Sequence, residues 1–390
     1  MNTELDWDVA VIGAGVVGLA CAARLAQPGR RVLVLEQHEG ICREGSSRNS
    51  EVVHAGIYYP QGSLKALSCV AGRRLLYRRA EAQGIPVRRC GKLIVARTQD
   101  EASLLTPLLE RAQANGVDDL ELISSTKIAQ LEPGTQGVAA LWSPSSGIVD
   151  SHQLARSFQS EAEAAGATLS FRTRLHRVQP LPRGYALTLK LLSNPSTEDP
   201  AGEDAFTTTS RVVINAAGLA QDEISQQVGI DIDAAGYRQF LCKGDWFRIA
   251  ERHRGRLQRL VYPIGRADDG GLGIHSCMDI EGGLRLGPDA EWVSSPPRSL
   301  QADPAKQVAF WEAGARLFPW LSLDDLRPDQ AGLRPKLSPE NGIFSDFVLR
   351  EESDRSLPGW ITLAGIESPG LTAAPELARR VALTVDEVLG

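Results

Sequence analysis

The sequence has no long apolar run and no block of Lys or Arg, and each absence excludes a class of protein. No run approaches the roughly 20 apolar residues that a membrane-spanning helix requires. Acidic residues outnumber basic ones by 48 to 42, for a net charge of −6 at pH 7, which argues against nucleic acid as a main partner. The amino terminus also lacks the basic start and the cleavage site of a signal peptide. We therefore expect a cytoplasmic protein without a transmembrane segment.

Metal-binding patterns are missing as well. The six histidines include no H-x-x-x-H or H-x-H set, and the six cysteines include no C-x-x-C pair. We predict no metal site. In a cytoplasmic chain the cysteines are expected to be reduced thiols, several of them in the core.

What the chain has instead is a strand, a glycine turn, a helix and a second strand within residues 8–36. Gly13, Gly15 and Gly18 follow the first apolar run as G-x-G-x-x-G, and Glu36 closes the second run. This order is typical of a βαβ unit that binds a dinucleotide, whereas a lone glycine-rich turn would need no ligand. The contacts predicted in this unit are Gly13, Ala14, Gly15, Val16, Val17, Gly18, Glu36 and Gln37.

The three glycines and Glu36 each have a physical role. Gly13 lets the chain turn sharply off the strand, Gly15 lets the backbone approach a pyrophosphate, and Gly18 lets the helix lie close to the sheet. The helix N-terminus offers N–H groups and partial positive charge to the phosphates. The Glu36 carboxylate is suited to a ribose 2′-hydroxyl and would repel a 2′-phosphate.

Hydrophobic periodicity and breaker residues predict the other elements. Helices are expected over 64–83, 101–115, 151–165, 304–318 and 374–389. Strands are expected over 91–96, 168–171, 185–192, 212–214 and 360–364, with a β-rich region over 239–287. The polar stretch 193–210 is interpreted as an exposed hairpin extension.

This order predicts an α/β fold with a discontinuous cofactor domain. Segments 1–85, 146–235 and 331–390 would form a Rossmann-like domain. Segments 86–145 and 236–330 would form a mainly antiparallel substrate domain, a β-sheet flanked by helices. Loops at strand ends between two such domains are the usual place for a site.

Several motifs resemble those of a known family. They are N-S-E-V-V-H-A-G-I-Y-Y at 49–59, G-S-L-K-A at 62–66, C-G-K-L-I-V-A at 90–96, G-I-V-D at 147–150, N-A-A-G at 215–218, L-G-I-H at 272–275, L-G-P at 286–288 and A-G-L-R at 331–334. In this order they resemble the D-amino-acid-oxidase-like FAD-dependent oxidoreductases, and among these the L-2-hydroxyglutarate dehydrogenase/oxidase family.

Two stretches depart from that family's usual residues. G-I-E-S-P-G-L-T at 365–372 stands where the family resembles N-A-P-S-P-A-A-T, and Pro335-Lys336 stands where Ala-Gln is more frequent. Both are expected to border the flavin or the substrate.

The resemblance implies FAD, with its adenosine and pyrophosphate on the glycine turn and Glu36. Further contacts implied for the flavin are Ser46, Ser47, Arg48, Asn49, Ser50, His54, Ala217, Gly218, Gly365, Gly370, Leu371 and Thr372. A helix beginning near Leu371 would direct its positive end at the flavin. A covalent bond between His54 and the flavin is an alternative that some members of the superfamily suggest.

Oxidation of a 2-hydroxy acid requires a hydride acceptor, a base and a carboxylate clamp. The flavin N5 atom would be the acceptor, and His54 and His275 are the candidate bases because both lie in matching motifs. Arg334 is the candidate clamp, since guanidinium matches carboxylate geometry, although an interdomain salt bridge is the alternative. Tyr59, Lys243 and Tyr262 are weaker candidates for substrate contact.

The leading interpretation is therefore an FAD-dependent dehydrogenase or oxidase acting on a small 2-hydroxy acid similar to L-2-hydroxyglutarate. An amino-acid or N-methyl-amino-acid (amine) oxidase is the first alternative, and a non-catalytic flavin redox sensor is the second. The sequence leaves the electron acceptor open among oxygen, a quinone and an electron-transfer protein. A quinone would imply peripheral contact with the inner face of a membrane.

Overall fold

A computed structural model describes residues 4–192, 205–265, 273–297, 299–339 and 343–390. Its α-helices are α1 (Val16–Leu25), α2 (Leu64–Gln83), α3 (Gln99–Ala102), α4 (Leu105–Ala114), α5 (Ser125–Leu131), α6 (Ser151–Ala164), α7 (Gln221–Gln227), α8 (Gln307–Ala315) and α9 (Gly370–Leu389). Among these residues, no helix combines the length and the apolar character needed to cross a bilayer.

The strands form four sheets. The main sheet contains β1 (Trp7–Ile12), β2 (Val32–Leu35), β9 (Thr168–Ser170), β10 (Thr173–Pro180), β11 (Tyr185–Leu191), β12 (Ala205–Asn215), β19 (Val348–Glu352) and β20 (Leu357–Ala364). A second sheet contains β13 (Phe240–Ile249), β15 (Ser276–Met278), β16 (Leu284–Leu286), β17 (Glu291–Val293) and β18 (Leu326–Lys336). A third contains β5 (Lys92–Ala96), β6 (Glu121–Ser124), β7 (Ala139–Ser143) and β14 (Leu260–Pro263), and the smallest contains β3 (Val52–Val53), β4 (Val87–Arg88) and β8 (Gly147–Val149).

The centre of the main sheet is parallel. Strand β1 lies between β2 and β12, β9 follows β2, and β20 pairs with the second half of β12, all in parallel. Parallel strands buried on both faces require continuous apolar runs, and residues 9–12 and 32–35 are such runs. Because parallel strands end at one edge, the glycine turn after β1 and the turn after β20 meet there.

The second and third sheets share a separate apolar core. Phe247 of β13, Tyr262 of β14 and Phe310 of α8 are buried in it. Strand β18 pairs with β13 in antiparallel register from Leu326 to Lys336, which carries Arg334 to the junction with the main sheet. The α/β class, with a parallel cofactor-type sheet and a mainly antiparallel second part, is confirmed.

Several boundaries differ from the prediction. The single helix expected over 101–115 is wrong: Ser103 closes the first turn by donating to Asp100 O, and α4 begins only at Leu105. The region 304–318 begins as a 3-10 turn before α8, and β12 extends over Ala205–Asn215 instead of only 212–214. Residues 193–204 of the expected hairpin lie outside the described residues. The division into two domains stays a prediction, and β18 runs across its boundary at residue 331.

Candidate active site

A cavity of about 840 Å³ lies at the junction of the main sheet with the second and third sheets. Its wall includes the turn after β1, the end of β2, the loop over 42–54, the 216–220 turn, the end of β18 and the 366–371 turn. This volume is within the range of ligand sites, and one continuous space joins the glycine turn to His54, His275 and Arg334.

The glycine turn has the backbone that its sequence predicts. Gly13 has φ of +100°, a region that disfavours other residues, and a Cβ there would lie 2.7 Å from Ala216 O. A Cβ at Gly18 would overlap the carbonyl oxygen of Gly13. At Gly15, which lines the cavity, a Cβ would meet the Ser46 hydroxyl at 3.1 Å. The turn is therefore a cradle that side chains would fill.

Glu36 is buried at the end of β2, and its carboxylate is oriented by two backbone N–H groups. Ala14 N donates to Oε2 and His38 N donates to Oε1, each at 2.8 Å. A carboxylate oxygen has further lone pairs, so these bonds orient Glu36 without preventing it from accepting a ribose hydroxyl.

Two helix N-termini are directed at the cavity. Helix α1 begins after Gly15 and α9 begins at Gly370, and neither has an acidic residue in its first turn. Val16 N donates to Ser46 Oγ at 3.0 Å, which places the Ser46 loop beside the start of α1. Partial positive charge at two points of one cavity suits a ligand that carries a pyrophosphate and an electron-accepting ring, and the residues present therefore fit FAD.

Most of the predicted cofactor residues lie on the cavity wall. They are Gly13, Gly15, Val16, Val17, Glu36, Gln37, Ser46, Arg48, Asn49, Ser50, His54, Ala217, Gly218, Gly370 and Leu371. Ala14, Gly18, Ser47, Gly365 and Thr372 are not among the residues that line the cavity. Thr372 has a supporting role, because its Oγ1 accepts from His54 N at 3.0 Å and donates to Val52 O at 3.2 Å.

His54 is buried on the wall, with Nε2 3.3 Å from Ser368 Oγ. Its Nδ1 has no hydrogen-bond partner among the described residues. Burial, with the neighbouring charge of Lys92, lowers the pKa of His54 well below its usual value. The imidazole is therefore neutral at neutral pH, the form that can accept a proton.

His275 is the second buried imidazole of the wall. Its ring stacks on Tyr262 with centroids 3.7 Å apart, and its Nδ1 lies 3.2 Å from Ser276 O. A carbonyl oxygen can only accept, so this contact favours the Nδ1–H tautomer and leaves the Nε2 lone pair available. Burial lowers the pKa of His275 to about 3.

Arg334 projects from β18 to the wall and is anchored on one side. Its Nη2 donates to the backbone oxygens of Lys243 and Asp289. A Cβ on the paired strand at Gly244 would overlap Nη2, so a glycine there makes room for the guanidinium.

The structure does not bring Lys243 into the cavity. Its ammonium binds the buried carboxylate of Asp245 at 2.7 Å, so the expectation of a substrate contact is corrected to an internal ion pair. Tyr59 and Tyr262 do line the wall, as predicted for substrate contacts. Their roles stay predictions.

Several wall residues were missed by the sequence reasoning. Lys65, Lys336, Glu367 and Ser368 line the cavity but were not named as site residues. Lys336, Glu367 and Ser368 belong to the two stretches that depart from the family pattern, which were expected to border the flavin or the substrate. Lys92 is also unexpected, because it is fully buried with Nζ 4.7 and 4.6 Å from the ring centroids of Tyr58 and Tyr262. A charged residue within an apolar strand run was the available signal for Lys92.

Comparison with known proteins agrees with this geometry. The family model described as DAO, FAD dependent oxidoreductase, matches residues 8–383. The mitochondrial L-2-hydroxyglutarate dehydrogenase of Arabidopsis thaliana is 34% identical over 407 residues, covering 96% of this chain and 82% of that protein. The L-2-hydroxyglutarate dehydrogenase of Indibacter alkaliphilus is 27% identical and covers 90% of this chain and 92% of its own length.

Solved structures share the fold at lower identity. The FAD-bound L-alpha-glycerophosphate oxidase of Mycoplasma pneumoniae superposes with a TM-score of 0.83 at 23% identity, over 97% of this chain and 94% of that chain. The glycine oxidase of Geobacillus kaustophilus superposes with a TM-score of 0.78 at 20% identity, over 98% and 95%.

Proposed function

Because the chain belongs to the family of FAD dependent oxidoreductases, we propose that it oxidises a small 2-hydroxy acid, with L-2-hydroxyglutarate as the first candidate. Two relatives described above are named for that compound. The observation that carries the proposal is that His54, His275 and Arg334 line one cavity with the glycine turn.

In this proposal Arg334 binds the α-carboxylate. Two backbone oxygens hold Nη2, so the guanidinium is oriented and its remaining N–H groups can pair with a carboxylate. An oriented guanidinium loses less conformational entropy on binding than a free one. It would therefore present the carbon that bears the hydroxyl in a constant direction.

The substrate hydroxyl must lose its proton as its carbon is oxidised. His54 and His275 are both neutral, so either can accept that proton without first losing one. An anionic substrate beside them would raise the pKa of either imidazole and make proton acceptance more favourable. His54 has the further advantage of Ser368, whose hydroxyl contacts Nε2 and holds the ring in place.

When bound, FAD would supply the hydride acceptor, its N5 atom. The residues that would hold it are the glycine turn, Glu36, the Ser46–Ser50 loop and the start of α9. The amine-oxidase alternative uses the same cofactor and the same carboxylate clamp.

The test is anaerobic reduction of the purified holoprotein. Reduction is monitored as loss of the flavin absorbance band. L-2-hydroxyglutarate, D-2-hydroxyglutarate, L-lactate, L-malate and sarcosine are added separately. We expect bleaching by L-2-hydroxyglutarate and not by its D enantiomer. Bleaching by sarcosine alone would instead identify an amine oxidase. Reoxidation of the reduced protein by oxygen, a quinone analogue or an electron-transfer protein then identifies the electron acceptor.

A further inference from the structure

Two lysines and one glutamate form a compact charged group on the cavity wall. Lys65 Nζ and Lys336 Nζ both bind Glu367 Oε1, at 2.9 and 3.1 Å. The three residues lie on α2, β18 and the turn after β20. A carboxylate between two ammonium groups at a cavity wall leaves that group with a net positive charge.

The two lysines are restrained unequally. The Lys65 side chain is 6% exposed, its ammonium lies 5.2 Å from the Phe347 ring centroid, and its backbone N–H donates to Asp346. The Lys336 side chain is 21% exposed, and its flexible stem ends at the cavity. Lys65 is therefore the fixed partner of Glu367, and Lys336 is the partner that can turn to another anion while Glu367 stays paired.

Lys336 also shares a strand face with Arg334. Residues two apart on a strand point to the same side, about 6.6 Å apart along the chain, and both residues are half-buried here while Leu333 and Pro335 are buried. The terminal carbons of an extended five-carbon diacid are about 5 Å apart. A guanidinium held by two carbonyls and a less buried ammonium on the same strand face match two acidic groups at that separation.

The net charge of this part of the wall also favours a substrate with two acidic groups. Although burial alone would raise it, the ammonium groups of Lys65 and Lys336 hold the pKa of the Glu367 carboxyl below its usual value. With Glu367 ionised, Arg334, Lys65 and Lys336 leave this part of the wall with a net charge of about +2. That charge is complementary to a dianion and exceeds what a monocarboxylate would neutralise.

We propose that Lys336 binds a second acidic group of the substrate and that Glu367, held by Lys65, is the internal counter-ion with which this group competes. The inference rests on the proposed function, since the first acidic group is the α-carboxylate on Arg334. Lys336 is then a specificity-determining residue, and the site selects diacids of four or five carbons over monocarboxylates.

The experiment compares the holoenzyme with Lys336→Gln and Glu367→Gln, and with Lys127→Gln as a control at an exposed lysine on α5. Binding of glutarate and of butyrate is measured by calorimetry, and anaerobic flavin reduction is measured with L-2-hydroxyglutarate, L-malate and L-lactate. For Lys336→Gln we expect glutarate binding to weaken about tenfold or more and butyrate binding to change less than about threefold.

Glu367→Gln is expected to change the affinity for glutarate in the opposite direction. Removing the counter-ion frees Lys336 and adds one positive charge, so glutarate should bind more tightly while butyrate changes little. A merely structural role for the charged group predicts weaker binding of both acids in both variants, together with loss of FAD or a lower melting temperature. FAD content and melting temperature are therefore measured for each variant.

The outcomes separate the two proposals. Equal changes for glutarate and butyrate in Lys336→Gln, or none, overturn the second-acid subsite. If Lys336→Gln weakens glutarate binding but no hydroxy acid reduces the wild-type flavin, the subsite stays in place and the proposed function is overturned. Reduction of the wild type by sn-glycerol 3-phosphate, tested as a separate arm, would assign the subsite to a phosphate.

Discussion

The carboxylate of Glu36 accepts a hydrogen bond from the backbone N–H of Ala14 at 2.8 Å, so the acid that closes β2 also holds the glycine turn that follows β1. Its other oxygen accepts from His38 N. The sequence interpretation assigned Glu36 to the ribose alone. In the structure the same side chain links two loops that line the cofactor end of the cavity.

Glu36→Ala should therefore weaken FAD binding more than Glu36→Gln. The amide keeps one acceptor oxygen for Ala14 or for the ribose, whereas alanine keeps none. A hydrogen bond to a carboxylate contributes about 1.5–3 kcal/mol, so each lost bond should weaken FAD binding about tenfold or more. Fluorescence titration of apoprotein with FAD measures this, with Glu39→Ala as the control at a nearby exposed acid. Equal affinities for the two Glu36 variants would contradict the double role.

Arg334→Ala should raise the substrate dissociation constant about 100-fold while FAD stays bound, because a paired carboxylate loses its guanidinium. Arg334→Lys should recover part of this loss, since it restores the charge without the planar donor pair. Stopped-flow reduction at varied substrate concentration separates the dissociation constant from the rate. If both variants keep the wild-type dissociation constant, Arg334 is not the clamp.

The pH dependence of flavin reduction distinguishes a buried histidine base from a histidine with an ordinary pKa. Both have pKa values lowered by burial, well below 6.5 for His54 and to about 3 for His275. A base protonates only as the pH falls through its own pKa. The second-order rate constant for flavin reduction at low substrate concentration reports the free enzyme, so it should stay level from pH 8 to pH 6. A second-order rate constant that halves near pH 6.5 would show that neither buried imidazole is the base.

His54→Asn and His275→Asn should then identify the base. The variant that lacks it should reduce flavin about 10²–10⁴-fold more slowly at saturating substrate, and the other should be affected far less. His152→Asn, at an exposed position on α6, is the control. If the two variants lose rate equally, neither histidine acts alone as the base.

Lys92→Met should stabilise the fold at low pH. The Lys92 ammonium has no hydrogen-bond partner among the described residues, and burial lowers its pKa to about 7 from about 10.5. Between these values the unfolded chain binds more protons than the folded one, so wild-type stability rises with pH from about 7 to about 10.5. Methionine removes this dependence.

We expect the free energy of unfolding of the Lys92→Met holoprotein to exceed that of the wild type at pH 6 by on the order of 2–4 kcal/mol, with a smaller difference at pH 9.5. Urea denaturation at the two pH values measures the difference. Lys190→Met, on β11, is the matched control and should show no such pH dependence. A difference that is the same at both pH values would contradict a lowered pKa for Lys92.

Residues that act through local backbone geometry were predictable from the sequence. Gly13 and Gly18 lie within six positions of each other, and their roles depend on one turn and the strands beside it. The family predicted from the motifs was confirmed by the match over residues 8–383. Helix boundaries were less predictable, because side-chain bonds such as that from Ser103 to Asp100 decide where a turn closes.

Residues whose role depends on distant partners were not predictable. Arg334 is held at the cavity by the backbone oxygens of Lys243 and Asp289, which are 91 and 45 positions away, and only the tertiary structure shows these contacts. Lys243 instead pairs with Asp245, two positions along the same strand, which was a local signal that the sequence analysis did not use.

The sequence by itself determined the βαβ unit and the α/β class, because these follow from periodicity and the glycine motif. The FAD cofactor and the candidates His54, His275 and Arg334 were implied by the resemblance of short motifs to a known family, together with the chemistry of single side chains. The tertiary structure alone decided that Lys65, Lys336 and Glu367 meet at one oxygen. They come from a helix, a strand and a turn that are up to 302 positions apart, and only the packing of those elements makes their charges act on one substrate.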